Sequence, residues 1–298
     1  METIITFGDK LLKSGDLDPV YLAMNSASLD SATLDRLCLA YWCFYSLGTA
    51  SFIAERGTTP KKFWELMTQA AVNEVAHPKA PPQATKPWPR GAERRHFRAA
   101  NATGPMAYLR VKYKTASAAV EGMTGAHQAE RDNLSFASVA RNVESHPGFG
   151  PWMSFKIADM AERVLGYGVN FDNCSLNMYK DPTQGAAVGY LEWMGSGGIL
   201  DAGERAAYEA KPWTYPVVPE EISQSVAYYI KTFNKRHKVG SLPGLKRALN
   251  IQEIETIFCK YKSHIKGHYP VGKDTREIVH GLKGWGDLAQ QLSKGISG

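Results

Sequence analysis

The sequence has little cysteine, no long hydrophobic run and almost no strand-like alternation, and each shortage excludes a class of protein. Its four cysteines form no Cys-x-x-Cys pair and are too sparse for a disulfide framework. No run of about eighteen apolar residues occurs, so a membrane-spanning helix is excluded. The first residues lack the basic and apolar regions of a signal peptide. We therefore expect a protein of a reducing interior, such as a bacterial cytoplasm, with no membrane partner.

Strict alternation of apolar and polar residues almost nowhere persists over five residues, whereas apolar residues recur often at helical spacing. The most apolar segment, from Leu34 to Phe52, predicts one central buried helix. Further helices are predicted over Lys61–Ala76, Tyr108–Val120, Phe136–Val143, Ala186–Met194, Ile251–Lys262 and Thr275–Leu282, the last of the chain. The pattern predicts an all-α fold. Residues 1–298 would form one helical domain or two interlocked lobes, with a hairpin region at about 136–172 and a basic part at 211–298.

The net charge of +6 is unevenly distributed along the chain. Residues 1–60 carry −3 and residues 132–210 carry −5, whereas residues 61–131 and 211–298 carry +7 each. Basic stretches attract phosphate polymers and accelerate encounters with them. A nucleic acid is therefore an expected partner, and solvated helix faces are the alternative interpretation.

A proline-rich stretch, residues 77–91, leads into a dense basic cluster. Its members are Arg90, Arg94, Arg95, His96 and Arg98. An arginine side chain grips a phosphate through two parallel hydrogen bonds, so this cluster is predicted to bind DNA backbone or a phosphorylated base. The alternative is a set of ion pairs with the acidic middle of the chain.

A tight glycine turn, Pro147-Gly148-Phe149-Gly150, is followed by Pro151 at a position where a first helical turn tolerates proline. Such a turn between helices exposes backbone N–H groups beside a positive helix end, which suits a backbone phosphate. We expect Gly148 and Gly150 to contact DNA in this way. In the helix that follows, Lys156 is a further candidate for DNA binding.

Asp159 lies within one turn of Lys156 and is open to two interpretations. It is a possible member of the same functional site. Alternatively, it pairs with Arg163 at i+4 on the same helix.

Near the C-terminus the run from Gly267 to Asp274 nearly matches a nucleotide-binding phosphate loop. That motif needs a preceding strand and a hydroxyl directly after the lysine, and neither is predicted here. A zinc site at His264 and His268 would need a helix that Gly267 and Pro270 argue against, and no third ligand is close. We instead predict a cationic, proton-donating pocket for a small phosphate or carboxylate, formed by Lys262, His264, His268 and Lys273.

The hairpin, together with Asp172 about two dozen residues after it, resembles the helix-hairpin-helix element of the all-helical DNA glycosylases. More narrowly, the run Gly-Pro-Trp-x-x-Phe-Lys-x-Ala-Asp-Met from Gly150, with Val-Asn-Phe-Asp ending at Asp172, resembles the bacteriophage amino acid:DNA transferases, also described as glutamyl/putrescinyl-thymine pyrophosphorylases. The basic cluster and the run from Lys262 to Asp274 add to this resemblance, which extends from about Asp18 to Leu292.

The resemblance implies a helix-hairpin-helix, glycosylase-like helical fold and a specific reaction. An amino acid such as glycine, or another amine, is joined to 5-phosphomethyl-deoxyuridine in double-stranded viral DNA, and phosphate is released. The base would be flipped out of the stack. The product would protect the genome from restriction in the cytoplasm of an infected bacterium. The expected catalytic residues are Asp172, His264, His268 and Lys273, and no cofactor or metal is expected.

Two alternatives from other classes remain at this point. A DNA glycosylase acting on a modified pyrimidine would generate abasic sites that alkali cleaves. A non-catalytic helix-hairpin-helix protein would bind DNA without depending on a free amino acid. The sequence does not identify which amine is used.

Overall fold

The computed structural model describes residues 2–76, 102–126, 131–176, 180–196 and 218–297, together with Gly203 and Ala206. Within these ranges there are fourteen helices and two strands of two residues each. The helices are α1 (Ile4–Lys13), α2 (Pro19–Ser26), α3 (Ser31–Phe44), α4 (Leu47–Arg56), α5 (Pro60–Ala76), α6 (Thr103–Lys112), α7 (Ala116–Thr124), α8 (Phe136–Glu144), α9 (Pro151–Arg163), α10 (Lys180–Ser196), α11 (Pro219–Arg236), α12 (Ile251–Ile265), α13 (Lys273–Gly281) and α14 (Asp287–Ser297). The predicted all-α fold is confirmed.

Local capping explains where several of these helices begin. Thr59 accepts a hydrogen bond from the backbone N–H of Lys62 at 3.3 Å, as expected for the N-cap of α5. Before α12, Asn250 accepts from the N–H of Gln252 at 2.9 Å, and Glu253 accepts from the N–H of Asn250 at 2.8 Å. Asn250 and Glu253 therefore form a capping box at the start of this helix.

The single helix predicted from Leu34 to Phe52 is wrong, because the chain breaks between α3 and α4. Tyr45 adopts a left-handed conformation with φ of 48° and ends α3. Ser46 then caps α4 by accepting a hydrogen bond from the N–H of Thr49 at 3.4 Å. Apolar residues flank the break on both sides, so hydrophobic periodicity did not reveal it.

Two other helix predictions need correction. The segment Tyr108–Val120 is divided into α6 and α7, because Tyr113 is extended and Thr115 caps α7 through the N–H of Ala118 at 3.1 Å. The predicted last helix begins at Lys273 rather than Thr275, and α14 follows it. Asp274 consequently lies in the first turn of α13 rather than at its N-cap.

The chain forms two compact units, each made of two separate stretches of sequence. The first unit comprises residues 1–18 and 174–273. In it, α1 packs against α12, and α12 packs against α10 and α11. Phe7 of α1 is fully buried, and its ring lies 5.4 Å from that of Tyr261 between centroids. The N-terminal helix is therefore part of this core.

The second unit comprises residues 19–173 and 274–298. Its largest fully buried side chain is Trp42 on α3, a helix that packs against α4, α7 and α9. The C-terminal helix α14 packs against α2 and α4. A short parallel pair joins strand β1 (Leu134–Ser135), which precedes α8, to strand β2 (Val169–Asn170), which follows α9.

None of the helices in the described ranges combines the length and the apolar composition that crossing a membrane requires.

Candidate functional site

A tight turn joins α8 to α9 in the second unit. The N–H of Phe149 donates to the carbonyl of His146 at 3.1 Å, and Gly148 has φ of +86°. Proline at the second position and a glycine with positive φ at the third are typical of a type II turn. Phe149 is buried and fixes the turn to the core, while Pro147 and Gly148 are exposed. The turn therefore presents its backbone to solvent.

The start of α9 leaves backbone donors open. Gly150 provides no side-chain cap, and Pro151 occupies the first helical position. Within the part of the chain that the structure describes, the N–H groups of Gly148 and Gly150 have no hydrogen-bond acceptor. Ser154 Oγ donates to Glu144 Oε1 at 2.9 Å and so ties α9 back to the end of α8. This arrangement has the donors that the sequence predicted for contact with a phosphate.

Two charged residues of α9 are buried. Lys156 is 8% exposed, so little of this residue is accessible to a duplex. Asp159 is fully buried, accepts a hydrogen bond from Tyr21 Oη at 2.9 Å, and has the guanidinium of Arg163 3.7 Å away. The interpretation of Asp159 as the partner of Arg163 is confirmed.

Asp172 lies at the surface, two residues beyond β2. Its backbone N–H donates to Asn170 Oδ1 at 2.7 Å, and Asn170 Nδ2 donates to Asp172 Oδ2 at 2.9 Å. The intervening Phe171 is buried, with ring centroids 5.6 Å from Phe136 and 6.0 Å from Phe155. The aromatic cluster holds the turn in place, so the Asp172 carboxylate is both ordered and exposed to solvent.

The predicted basic cluster, Arg90, Arg94, Arg95, His96 and Arg98, lies outside the described residues.

In the first unit, the loop between α12 and α13 brings three of the predicted catalytic residues together. His264 Nδ1 is 2.8 Å from the carbonyl oxygen of Tyr269, and Lys273 Nζ donates to the carbonyl oxygen of His268 at 3.1 Å. His268 itself is exposed. The loop of residues 266–272 therefore presents an accessible imidazole, on the residue whose backbone carbonyl the Lys273 ammonium contacts.

The two histidines of this loop differ in what their rings contact. His264 Nε2 lies 3.1 Å from Glu2 Oε2, and Lys10 lies 2.8 Å from the other oxygen of that carboxylate. The pKa of Glu2 is lowered, chiefly by its hydrogen bond to Lys10. Both ring nitrogens of His264 face acceptor oxygens, so contacts on two sides hold this ring, whereas the ring of His268 is exposed.

The phosphate-loop alternative for this loop finds no support. A helix rather than a strand precedes Gly267, as α12 runs to Ile265. Lys262 lies two residues before His264 on that helix, and residues at this spacing point in different directions. No group of three possible metal-ligating side chains occurs among the described residues.

A buried aspartate holds this loop in position, and sequence analysis did not identify it. Asp16 is fully buried; its Oδ2 accepts hydrogen bonds from Tyr269 Oη at 2.7 Å and from the N–H of Gly272 at 2.6 Å. Lys260 Nζ donates to the backbone carbonyl of Asp16 at 2.5 Å. More than 250 residues separate Asp16 from its loop partners, 253 to Tyr269 and 256 to Gly272, so no local pattern links them.

Comparison with known proteins gives consistent matches. The sequence profile of the family "Amino acid:DNA transferase" matches residues 10–269. A "Glycinyltransferase" of Pseudomonas phage PaMx11 is 37% identical over 292 residues, which is 97% of this chain and 92% of that protein. A "Putrescinyltransferase" of Delftia phage PhiW-14 is 26% identical over 292 residues, covering 97% of this chain and 81% of that protein.

Proposed function

Because the chain belongs to the amino acid:DNA transferase family and is therefore a transferase that acts on DNA, we propose that it attaches glycine to a modified thymidine. The acceptor is 5-phosphomethyl-deoxyuridine in double-stranded DNA. The observation that carries the choice of glycine is the 37% identity to the phage glycinyltransferase over nearly the full length of both chains. The putrescinyltransferase is less similar, at 26%.

The proposed reaction is a substitution at the exocyclic methylene carbon. The amino nitrogen of glycine forms a bond to that carbon, and the carbon–oxygen bond to phosphate breaks with its electron pair leaving on the phosphate. The nitrogen gives up a proton to a base. The glycosidic bond stays intact, which separates this chemistry from that of a glycosylase.

The loop after α12 has the groups that this substitution needs. The Lys273 ammonium would stabilise the charge that develops on the departing phosphate. The exposed imidazole of His268 would take the proton from the amine. Lys262, Arg94 and Arg95 are further candidates for phosphate binding. Asp172 is a second candidate base, since its carboxylate is exposed and held by Asn170.

We further propose that the target base leaves the helical stack before it reacts, as enzymes that modify bases commonly require. The relatives are phage proteins, so we place the reaction in the cytoplasm of an infected bacterium. There the modified base would protect phage DNA from host restriction.

Mass spectrometry of nucleosides tests this proposal. DNA containing 5-phosphomethyl-deoxyuridine is incubated with the protein and a mixture of the twenty amino acids and putrescine, then digested. A nucleoside that has lost phosphate and gained glycine supports the proposal. Addition of another amine would overturn the choice of glycine, and an unchanged nucleoside profile would overturn the acceptor. Alkali-labile sites would indicate a glycosylase.

Variants separate the roles proposed for the loop. We expect Lys273→Ala and His268→Asn each to lower the transfer rate by about a hundredfold, in the range found for single electrostatic or acid–base groups. Lys294→Ala removes an exposed lysine on α14, in the other unit, and serves as the matched control. Unchanged transfer by Lys273→Ala would remove Lys273 from the site.

A further inference from the structure

A cluster of polar and aromatic side chains lies at the base of the α8–α9 turn and has no part in the proposed chemistry. It consists of Tyr108 and Lys112 on α6, Tyr113 directly after α6, and His146, the residue that begins the turn. His146 is 2% exposed, whereas Tyr108 and Lys112 are exposed. The cluster thus runs from a buried imidazole to a surface ammonium.

The contacts of the buried His146 ring determine which groups of the cluster donate and which accept hydrogen bonds. His146 Nδ1 lies 2.7 Å from the carbonyl oxygen of Asn142, which can only accept, so Nδ1 carries the proton. Burial lowers the pKa of His146, with a further contribution from the charge of Lys112, and favours the neutral ring. Nε2 is then an acceptor for Tyr113 Oη at 2.6 Å. Lys112 Nζ lies 3.2 Å from the same Nε2, so the ammonium and the phenol hydroxyl both face the neutral imidazole.

Two tyrosine rings hold the Lys112 ammonium from its sides. Nζ lies 5.4 Å from the ring centroid of Tyr108 and 5.3 Å from that of Tyr113, distances typical of cation–π contacts. An exposed lysine ordinarily samples many rotamers, and fixing one of them costs side-chain entropy. Because the protein already holds this ammonium, a ligand that binds it meets less of that entropy cost.

The surroundings of this ammonium favour a polyanion. Arg110 and Lys114 are both exposed on the same short segment as Lys112, which gives residues 108–114 a charge of +3. His146, at the other end of the cluster, accepts the hydrogen bond that closes the turn carrying Gly148. The ammonium is therefore fixed to the same structural element as the open N–H groups of the turn.

We propose that Lys112 is a DNA-binding residue that contacts a backbone phosphate of the duplex beside the α8–α9 turn, and that Tyr113 and His146 position its ammonium. This inference goes beyond the proposed reaction, because it concerns the backbone of DNA rather than the modified base. It needs only that the protein acts on DNA.

Binding of a short unmodified duplex at several salt concentrations tests the assignment. Such a duplex has no phosphomethyl group, so it isolates contacts to the backbone, and fluorescence anisotropy reports the affinity. Lys112→Ala is expected to weaken binding about three- to tenfold and to reduce the slope of log K against log salt by about one. Lys112→Arg should retain the slope, and Lys294→Ala on α14 is the matched control.

Tyr113→Phe separates positioning from charge. It keeps the ring and the lysine but removes the hydroxyl that contacts His146 Nε2 beside the Lys112 ammonium, so we expect weaker binding with an unchanged salt slope. If Lys112→Ala binds the duplex with the same affinity and the same salt slope as the parent, the phosphate contact is overturned. Parental affinity of Tyr113→Phe would overturn the positioning role.

Both results are independent of the reaction. If the phosphomethyl substrate or the choice of glycine is wrong, the nucleoside assay shows no glycine transfer, but Lys112→Ala still has a smaller salt slope than the parent. If the assignment of Lys112 is wrong, Lys112→Ala and the parent have the same salt slope, but the parent protein still transfers glycine. Unfolding midpoints of Lys112→Ala and Tyr113→Phe, measured in the same buffers, identify any loss of affinity that comes from unfolding.

Discussion

His146 is a buried histidine of the second unit, and its surroundings disfavour the protonated ring. Its ring stacks on Tyr113 with centroids 5.7 Å apart and planes 21° apart. The ionisable groups facing it are Lys112, Tyr113 and Tyr108. A second proton would leave Nε2 without its acceptor role and place two positive charges side by side. The folded state therefore holds this ring neutral.

The resulting pH dependence of stability has a definite sign. The pKa of His146 is lowered in the folded state from 6.5, so the unfolded chain takes up the proton first as the pH falls. The stabilisation is complete above pH 6.5 and is lost as the pH falls through the folded pKa. We expect His146→Gln to lose less stability than the parent between about pH 7.5 and about pH 5.5. Chemical unfolding at both pH values measures this.

A histidine elsewhere in the same unit supplies the comparison. His280→Gln removes an exposed histidine on α13, so it shows the effect of losing one histidine outside the hairpin. If His146→Gln and the parent lose equal stability over this pH range, the buried neutral ring is not the origin of the pH dependence.

At the scale of an element, the α8–α9 turn contains two glycines with different requirements. Gly148 has φ of +86°, where a side chain is strained, whereas Gly150 has φ of −116° and open space where a Cβ would stand. Gly148→Ala is expected to destabilise the protein by about 1–2 kcal/mol and to weaken binding of unmodified DNA. Gly150→Ala should leave stability within about 0.5 kcal/mol of the parent.

Urea unfolding and duplex binding, measured on both variants, check this pair. Equal stability of the two alanine variants would contradict the left-handed turn. If Gly148→Ala lost stability but kept its affinity for DNA, the turn would be a structural element only.

The loop after α12 depends on Asp16 for its position. Asp16→Asn removes the charge that Tyr269 and Gly272 contact, and we expect a lower kcat for transfer, by up to about a hundredfold, because small misplacements of reacting groups are costly. Affinity for unmodified DNA should not change. Steady-state kinetics with phosphomethylated DNA, alongside duplex binding, measures both quantities.

Asp9 provides a matched control for Asp16 in the same unit. It pairs with His237 at 2.8 Å and with Arg236, and none of these residues belongs to the loop. Asp9→Asn should lower stability and keep kcat. If Asp16→Asn and Asp9→Asn reduced kcat equally, the effect of Asp16 would be one of general stability.

At the scale of the whole molecule, the sequence predicted those features that depend on residues close together in the chain. Capping at Asn250, the helix starting at Pro60 and the glycine turn at Gly148 each depend on residues within a few positions. The break at Tyr45 and the Asp16 contacts depend on packing between distant residues, which no local pattern records. The three basic residues at alternate positions from Arg110 to Lys114, together with Tyr108 and Tyr113, were a readable signal for the cluster around His146. The glycosylase-like relationship and the roles of the site residues stay predictions.

Each unit is formed by two separate stretches of chain. The first residues are therefore needed for the packing of a core whose other helices lie far away in the sequence. Ile4, Phe7 and Leu11 on α1 are fully buried against the core that α11 and α12 complete. A chain that begins at Pro19 would expose this core and also lack Asp16. We therefore expect residues 218–273 to lose protection from hydrogen exchange in that truncation, whereas Phe7→Ala in the full chain should cost about 3–5 kcal/mol.

Adding the missing segment as a peptide distinguishes lost packing from a folding defect. A peptide of residues 1–18, supplied to the truncated chain, should restore hydrogen-exchange protection in residues 218–273, because α1 contributes through side-chain packing. The peptide with Phe7→Ala should restore much less. Full protection in the truncated chain without any peptide would contradict the role of α1.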